Sequence, residues 1–430
     1  MFFLYSILFT VAFIALIPLF LWRREKYAAG FWQRFGYLPE FKQDGRPVLW
    51  LHSVSVGETQ AARPLAKRLT EEFPEYRLVV STTTKTGQEL AQEVFKDAAE
   101  LVFYFPYDWR FTVRRSLEKI KPNVVLLMET EIWFNFIREA GKSNTRVFIV
   151  NGRLSEKSLK RYLRIRTTLR RVLHYVDMAL MQSSADARRL LQLDIRSNKV
   201  KITGNIKFDQ SFDALESVKT DYFRERFAVS EDAPLIVAAS THASEENWIL
   251  EAFKTIWKSA PDKLPRLLIA PRHPERFDEV SELIKQSGFE WVKRSEEMSD
   301  SDKTAEVILL DTIGELRAVF PLAGVVFIGG SLIPHGGHSI LEPAVVEKPI
   351  VTGFYTMNFD AVVKEFLEKN AVIQLPKLEA EKIPPKLAEV FLELLQNSEY
   401  REKLAQNALA VMQKNRGAVE KTIEHLKPFL

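Results

Sequence analysis

The chain has 430 residues, of which 46% are hydrophobic and 27% are charged, a composition typical of a folded protein of two or three domains and not of a disordered one. It contains no cysteine, which excludes disulfides, thiolate metal sites and a cysteine nucleophile. The formal net charge of +4 is mild for this length and does not favour wholesale binding to nucleic acid.

An apolar run extends from Phe2 to Trp22, about the length that a helix needs to cross the hydrocarbon core of a bilayer. Arg23, Arg24 and Lys26 follow it, and no charged side chain precedes it. By the positive-inside rule, this pattern predicts a transmembrane anchor over residues 1–22, with the body of the protein on the cytoplasmic side. The alternative is a cleaved signal peptide, which the missing basic region before the run disfavours.

Two further stretches mix basic with apolar side chains. Residues 23–45 are predicted to form an interfacial segment, and a linker or an amphipathic helix packed on the protein is the alternative. Lys157–Val176 is predicted to be one amphipathic helix, because its apolar residues recur every three or four positions. Its basic side suits either an anionic membrane or lipid, or a solvated protein surface.

Beyond residue 45, short apolar runs alternate with helical patterns, which predicts parallel sheets buried on both faces. The predicted strands are 47–52, 78–81, 101–104, 124–128, 147–150, 178–181 and 200–202, and then 235–239, 267–270, 290–292, 307–310, 325–328, 350–351 and 372–374. The fold class is therefore α/β, with Rossmann-like domains over 46–215 and 216–405 and a helical segment, 406–430, that crosses back to the first domain. Ligands of such domains bind at the carboxyl ends of the strands.

In the first domain, charged residues that follow predicted strands are candidates for chemistry. Glu58 opens a helix, where its carboxylate either accepts a proton from an attacking hydroxyl or only favours the helix N-terminus. Glu129 and Glu131 follow a buried strand and either face a ligand, with shifted pKa values, or cap the next helix. Lys207 contacts an anionic donor or pairs with Asp209.

In the second domain, several loops at strand ends are typical of a nucleotide-sugar site. The loop 271–276 offers two arginines and a histidine to an anion, and its prolines fix its shape. Glycines at 329–330 and 336–337 permit close approach of backbone amides to a ligand, and Glu342 is placed to accept hydrogen bonds from a ribose. Since no metal-binding motif stands out, basic side chains and helix N-termini are expected to neutralise the leaving phosphate.

Taken together, these loops resemble the transferases of 3-deoxy-D-manno-octulosonic acid (Kdo) from Gram-negative bacteria. The matching segments run in family order from His52 to Pro343: HSVSVGET, STTTKTG, METEIW, NGRLSEKS, GNIKFD, STHASEE, PRHPERF, DTIGEL and GGSL…GGHSILEP. The resemblance implies a GT-B fold, with two Rossmann-like domains facing across a cleft. It also implies transfer with inversion of the anomeric centre, without a metal or any other cofactor.

By the same resemblance, Glu58 is the catalytic base, and Glu129 and Lys207 stabilise the transition state. The residues that would bind the nucleotide sugar are Pro271, Arg272, Ile313, Gly314, Glu315, Ser339, Ile340, Leu341 and Glu342. The implied partners are a CMP-Kdo donor, a lipid A precursor as acceptor, and the inner membrane, without nucleic acid. The family usually has Asn-Pro where this chain has Ser339-Ile340.

Two other functions agree with parts of the pattern. Another membrane-associated GT-B glycosyltransferase would use a UDP- or GDP-sugar, and a membrane-tethered regulator would bind a nucleotide without forming a product. An NAD-linked enzyme is disfavoured, because no Gly-x-Gly-x-x-Gly motif follows the first predicted strand.

Overall fold

The computed structural model describes residues 2–22, 29–209, 214–230, 234–259 and 264–430. The chain divides into two compact units. Unit 1 comprises Met1–Asp209 and Asn415–Leu430, and unit 2 comprises Gln210–Lys414. The sequence analysis placed the corresponding boundaries after residues 215 and 405.

Unit 1 is built on one parallel sheet with helices on both faces. Its strands are β1 (Val48–Ser53), β2 (Arg77–Thr82), β3 (Leu101–Tyr104), β4 (Val124–Met128), β5 (Arg146–Gly152), β6 (Met178–Met181) and β7 (Val200–Ile202). Its helices up to this point are α1 (Phe2–Trp22), α2 (Phe31–Arg34), α3 (Val56–Glu72), α4 (Lys85–Val94), α5 (Arg110–Ile120), α6 (Phe134–Lys142), α7 (Glu156–Leu163), α8 (Arg166–Leu173) and α9 (Ser184–Leu191). The strand order is β3-β2-β1-β4-β5-β6-β7, and every pairing is parallel.

The central strand β1 shows why this sheet is stable. All six of its residues are buried, and successive side chains point to opposite faces. Trp50 belongs to the apolar cluster on one face, whereas Leu49 and Leu51 belong to the cluster on the other. Because both faces are covered, the strand is apolar almost throughout instead of alternating with polar residues.

Unit 2 repeats this architecture. Its strands are β8 (Leu235–Thr241), β9 (Arg266–Pro271), β10 (Trp291–Lys293), β11 (Val307–Leu309), β12 (Ala323–Ile328), β13 (Ile350–Thr352) and β14 (Ile373–Gln374). Its helices are α10 (Ala214–Arg226), α11 (Glu245–Ser259), α12 (Phe277–Ser287), α13 (Ser301–Thr304), α14 (Leu316–Val319), α15 (Leu341–Val345), α16 (Asp360–Glu368), α17 (Ile383–Gln396) and α18 (Ser398–Asn415). The strand order is β10-β11-β9-β8-β12-β13-β14, again wholly parallel.

After α18 the chain returns to unit 1 as α19 (Ala418–Leu426). Ile423 and Leu426 of this helix are buried in the apolar cluster that contains Leu49 and Leu51. Asp209 fixes the start of α19, because its carboxylate accepts hydrogen bonds from the backbone N–H groups of Gly417 and Val419. The last helix is therefore an integral part of unit 1.

The two parallel sheets of Rossmann type are confirmed, and each of the predicted strands overlaps a strand in the described residues. The prediction of one continuous helix over Lys157–Val176 is wrong. The structure has two helices there, α7 and α8, separated by a turn at Arg164 and Ile165. At Ile165 the backbone leaves the helical region, with φ −120° and ψ 25°, so the hydrogen-bond ladder of α7 does not continue into α8.

The N-terminal apolar run forms α1, which packs on unit 1 through polar contacts along one side. The Tyr5 hydroxyl donates to Asp108 at 2.8 Å, and the Trp109 indole donates to Thr10 at 2.8 Å. The opposite side carries exposed apolar residues, namely Phe3, Leu4, Ile7, Leu8, Val11 and Ile14. Within the described ranges, none of the helices is both long enough and apolar enough to cross a membrane. The anchor over 1–22 stays a prediction, and the basic residues at 23–28 lie outside the described residues.

Candidate active site

Glu58 lies in the first turn of α3, directly after β1, and its carboxylate is held by the loop that precedes the helix. The Val54 backbone N–H donates to Oε2 at 2.7 Å, and the Ser55 hydroxyl donates to Oε1 at 3.3 Å. Ser55 is also the N-cap of the helix, accepting from the Glu58 N–H at 3.5 Å. These contacts fix the orientation of the carboxylate at the carboxyl end of the sheet.

The environment of Glu58 favours its protonated form more than water does. The residue is only 9% exposed, and burial is the main reason that its pKa rises to about 7. The nearby charges of Glu129 and Glu131 raise the pKa further, whereas the hydrogen bond from Val54 lowers it. A carboxyl group with a pKa near neutrality is well suited to accept a proton as a general base.

Glu129, which directly follows β4, lies between two cations. Lys207 Nζ is 3.2 Å from its Oε1, and Arg153 Nε is 3.0 Å from its Oε2. The Glu129 backbone has φ 54°, in the left-handed region that residues other than glycine rarely adopt and that is concentrated at functional sites. The structure thus brings three predicted site residues of unit 1 into one neighbourhood, since Glu129 acts electrostatically on Glu58 as well.

The alternative pairing of Lys207 with Asp209 is not what the structure shows. Asp209 is bound to the start of α19, and Lys207 reaches Glu129 instead. Arg153, the second partner of Glu129, was missed in the sequence analysis. Its position just after β5, the neighbour of β4, is the signal that would have found it.

In unit 2, Arg272 directly follows β9 and its side chain is exposed. Its backbone N–H donates to the carbonyl of Thr241 at 3.0 Å, which holds the loop to the end of β8. The other arginine of this loop, Arg276, is committed to Glu246 at 2.7 Å and to Glu279 at 2.9 Å. The predicted pair of anion-binding arginines is therefore reduced to Arg272.

The turn at Ile313–Glu315 is exposed at Ile313 and Gly314. Ile313 is 76% exposed, and Gly314 has φ 80°, which only glycine adopts without strain. The Glu315 carboxylate accepts a hydrogen bond from the Thr312 hydroxyl and pairs with Arg294 at 2.9 Å. Glu315 is thereby engaged within unit 2, and the turn has a fixed shape.

The glycine-rich loop after β12 is held by a buried carboxylate whose role was not predicted. Glu245 accepts the backbone N–H groups of Gly330 at 2.7 Å, Ser331 at 3.0 Å and Leu332 at 2.9 Å, and also that of His242 at 3.0 Å. Burial raises the pKa of Glu245 to about 7, and these hydrogen bonds oppose the shift. The loops after β8 and β12 are thus tied together through one side chain.

The segment at 339–342 leads into α15. The Ile340 side chain is fully buried, and the Ser339 hydroxyl accepts the Leu341 N–H at 3.3 Å. Burial raises the pKa of the Glu342 carboxyl, while the positive charges of Arg317 and Arg272 lower it. Arg272 and Glu342, predicted from separate motifs, therefore lie within electrostatic reach of each other.

Sequence comparisons relate the chain to one family. A family model for 3-deoxy-D-manno-octulosonic-acid transferase (kdotransferase) matches residues 29–210. The 3-deoxy-D-manno-octulosonic acid transferase of Haemophilus influenzae is 32% identical over 420 residues, which are 98% of this chain and 95% of that protein. The transferase of the same name from Bordetella pertussis is 29% identical, over 98% of this chain and 99% of that protein.

Among solved structures, the glycosyltransferase from Rickettsia africae matches with a TM-score of 0.56. The match covers 90% of this chain and 99% of that one at 14% sequence identity, so it bears on the fold alone. It agrees with a GT-B-like fold made of two parallel sheets of Rossmann type.

Proposed function

Because the chain belongs to the 3-deoxy-D-manno-octulosonic acid transferase family and is therefore a glycosyltransferase, we propose that it transfers Kdo from CMP-Kdo to a tetra-acylated lipid A precursor in the synthesis of the lipopolysaccharide core. The observation that carries this proposal is the buried, hydrogen-bonded carboxyl group of Glu58, whose pKa is raised to about 7. A glycosyl transfer needs such a group to remove the proton of the acceptor hydroxyl.

In the proposed reaction, the acceptor hydroxyl attacks the anomeric carbon of Kdo. The bond between that carbon and the phosphate oxygen breaks, CMP leaves with the electron pair, and Glu58 takes the proton. A single displacement of this kind inverts the anomeric centre. General-base assistance contributes roughly 10²–10⁴-fold to such a rate.

Glu129 and Lys207 are proposed to stabilise the transition state as a unit. The ammonium group of Lys207 is held in place by the 3.2 Å ion pair, and Arg153 fixes the other oxygen of Glu129. A pre-positioned charge stabilises charge that develops during reaction without the cost of reorganisation.

Unit 2 is proposed to bind the donor, without a metal ion in the transfer step. The exposed guanidinium of Arg272 suits a phosphate, and the carboxyl group of Glu342 suits a ribose hydroxyl. The backbone of Pro271, the turn at Ile313, Gly314 and Glu315, and the segment Ser339, Ile340 and Leu341 complete the proposed site.

Attachment to the cytoplasmic side of the inner membrane through α1 is a further part of this proposal. The exposed side of α1 is apolar, and Phe31, Trp32 and Tyr37 around α2 are exposed as well. Aromatic side chains of this kind are common at membrane interfaces. A lipid acceptor would be available to an enzyme held at that surface.

The proposal is tested by incubating the full-length protein and a tetra-acylated lipid A precursor with CMP-Kdo and, separately, with UDP- and GDP-sugars. Mass spectrometry of the lipid should show addition of Kdo with CMP-Kdo alone. A product formed only from a UDP- or GDP-sugar would replace the proposed donor, and nucleotide binding without any product would favour a regulator.

A further inference from the structure

Four histidines of unit 2 converge at the carboxyl ends of three neighbouring strands. His242 follows β8, His273 follows β9, and His335 and His338 lie in the loop after β12. The ring of His242 has its centre 4.0 Å from that of His335, 5.2 Å from that of His338 and 5.2 Å from that of His273. The four residues come from three separate loops of the chain, so their meeting is a product of the fold.

We propose that His242, His335 and His338 form a binding site for a divalent transition-metal ion, and that Zn²⁺ is the ion that fits it best. One ring nitrogen from each of the three lies within 4.8 Å of the others. The Nε2 atoms of His242 and His338 are 2.9 Å apart. Tetrahedral Zn²⁺ with bonds of about 2.0–2.1 Å places neighbouring ligand nitrogens about 3.3 Å apart, so the two rings need only a small outward movement.

The contact between His242 and His338 shows that a ring lone pair is directed into the cluster. Their Nε2 atoms lie within hydrogen-bond distance at 2.9 Å, so one nitrogen donates its N–H and the other accepts with its lone pair. A ring nitrogen with an available lone pair is the form that binds a metal, and metal binding would displace the proton that the two rings share.

The surrounding backbone is arranged so that the rings can approach one another. Gly330 lies against both of them, and a Cβ atom there would be 3.1 Å from His338 and 3.3 Å from His242. Its φ of 66° is also one that favours glycine. The Glu245 carboxylate binds the backbone of His242 and of the glycine-rich loop that carries His335 and His338, so the segments bearing all three ligands are held together by one side chain.

The charges around the cluster are mixed. Arg276 is neutralised by Glu246 and Glu279, whereas Arg272 is an exposed cation that acts electrostatically on both His242 and His338. The carboxyl group of Glu245 accepts the backbone N–H of His242. Three imidazole nitrogens without a carboxylate select Zn²⁺, Co²⁺ or Ni²⁺ over Mg²⁺, which prefers oxygen ligands. A fourth coordination position remains open for a water molecule.

The test uses full-length protein without a polyhistidine tag, stripped with a chelator and titrated with Zn²⁺ in a calorimeter. We expect about one ion per chain. His335 is exposed, so His335→Ala should leave the fold intact while weakening Zn²⁺ binding by about tenfold or more. The matched control is His174→Ala, which removes an exposed histidine of unit 1 and should bind Zn²⁺ like the wild type.

Two further measurements make the result decisive. Co²⁺ should give the intense visible absorption of a four-coordinate site with the wild type and lose it with His335→Ala. At the same Zn²⁺ concentration, the Tm of the wild type should rise more than that of His335→Ala, because the stabilisation by a ligand grows with its affinity. Absence of saturable Zn²⁺ binding, or less than about a tenfold loss in His335→Ala, would overturn the proposal.

Discussion

Lys207 and Glu129, 78 residues apart in the chain, form an ion pair of 3.2 Å that joins the residue after β4 to the segment that follows β7. Both side chains are mostly buried, with 17% and 12% of their surface exposed. Removing one partner of such a pair leaves a poorly solvated charge, which destabilises a fold. A variant of either residue must therefore be judged on its rate and on its stability separately.

We predict that Lys207→Ala lowers kcat by about 10²-fold, because a charge positioned for the transition state is lost. Lys207→Arg, which keeps the positive charge beside Glu129, should retain more activity than the alanine variant. Initial rates and thermal unfolding of both variants check this. An alanine variant that is destabilised but reacts at the wild-type rate while folded would show that the pair is only structural.

Arg272→Ala should weaken CMP binding by about tenfold or more, since a charged hydrogen-bond donor to phosphate is removed from an exposed position at a strand end. Isothermal titration with CMP measures this directly. Arg224→Ala is a suitable control, because Arg224 is an exposed arginine of α10 paired with Asp221. If Arg272→Ala and the wild type bound CMP with equal affinity, Arg272 would not be part of the donor site.

The pH dependence of kcat/KM should report the raised pKa of Glu58. A general base acts in its ionised form, so the rate should increase tenfold per pH unit below about 7 and level off above it. The profile is measured with the acceptor well below its KM, over a pH range in which the protein stays folded. A rate that is already constant between pH 5 and pH 8 would mean that no group with this pKa accepts the proton.

Replacing exposed apolar residues of α1 should weaken membrane attachment. We expect the combined change Leu4→Ser, Leu8→Ser and Val11→Ser to reduce sedimentation with lipid vesicles, because all three side chains are exposed. Tyr5→Phe is the control, since Tyr5 faces unit 1 and contacts Asp108. A triple variant that sediments like the wild type would place the attachment elsewhere, for example on the basic helices α7 and α8.

The sequence predicted the sheets well because each buried strand is a short apolar run, as β1 and β4 illustrate. It also placed Glu58 correctly at the start of a helix, since β1 is followed at once by small residues and a cap at Ser55. Ion pairs and hydrogen bonds between residues far apart in the chain could not be predicted as well, because they depend on how the strands and loops are arranged in the fold. Lys207 has Asp209 close by in sequence, yet the fold gives it Glu129.

The same limit explains the other surprises. The role of Glu245 in holding the glycine-rich loop could not be predicted, because its hydrogen-bond partners in that loop lie more than 80 residues away in the chain. The helix break at Ile165 could not be predicted from a proline or glycine, because the sequence has neither there. It depends on helix propensity and on packing in the folded protein.

The replacement Glu58→Gln tests the central claim most directly, because glutamine has the same shape but cannot accept the proton. Burial raises the pKa of Glu58, so its ionised form costs stability above pH 7, and the neutral amide should not lower the Tm at pH 8. We predict a loss of roughly 10²–10⁴-fold in the rate of Kdo transfer, with unchanged affinity for CMP in calorimetry. A folded Glu58→Gln variant that transfers Kdo at the wild-type rate would contradict the account.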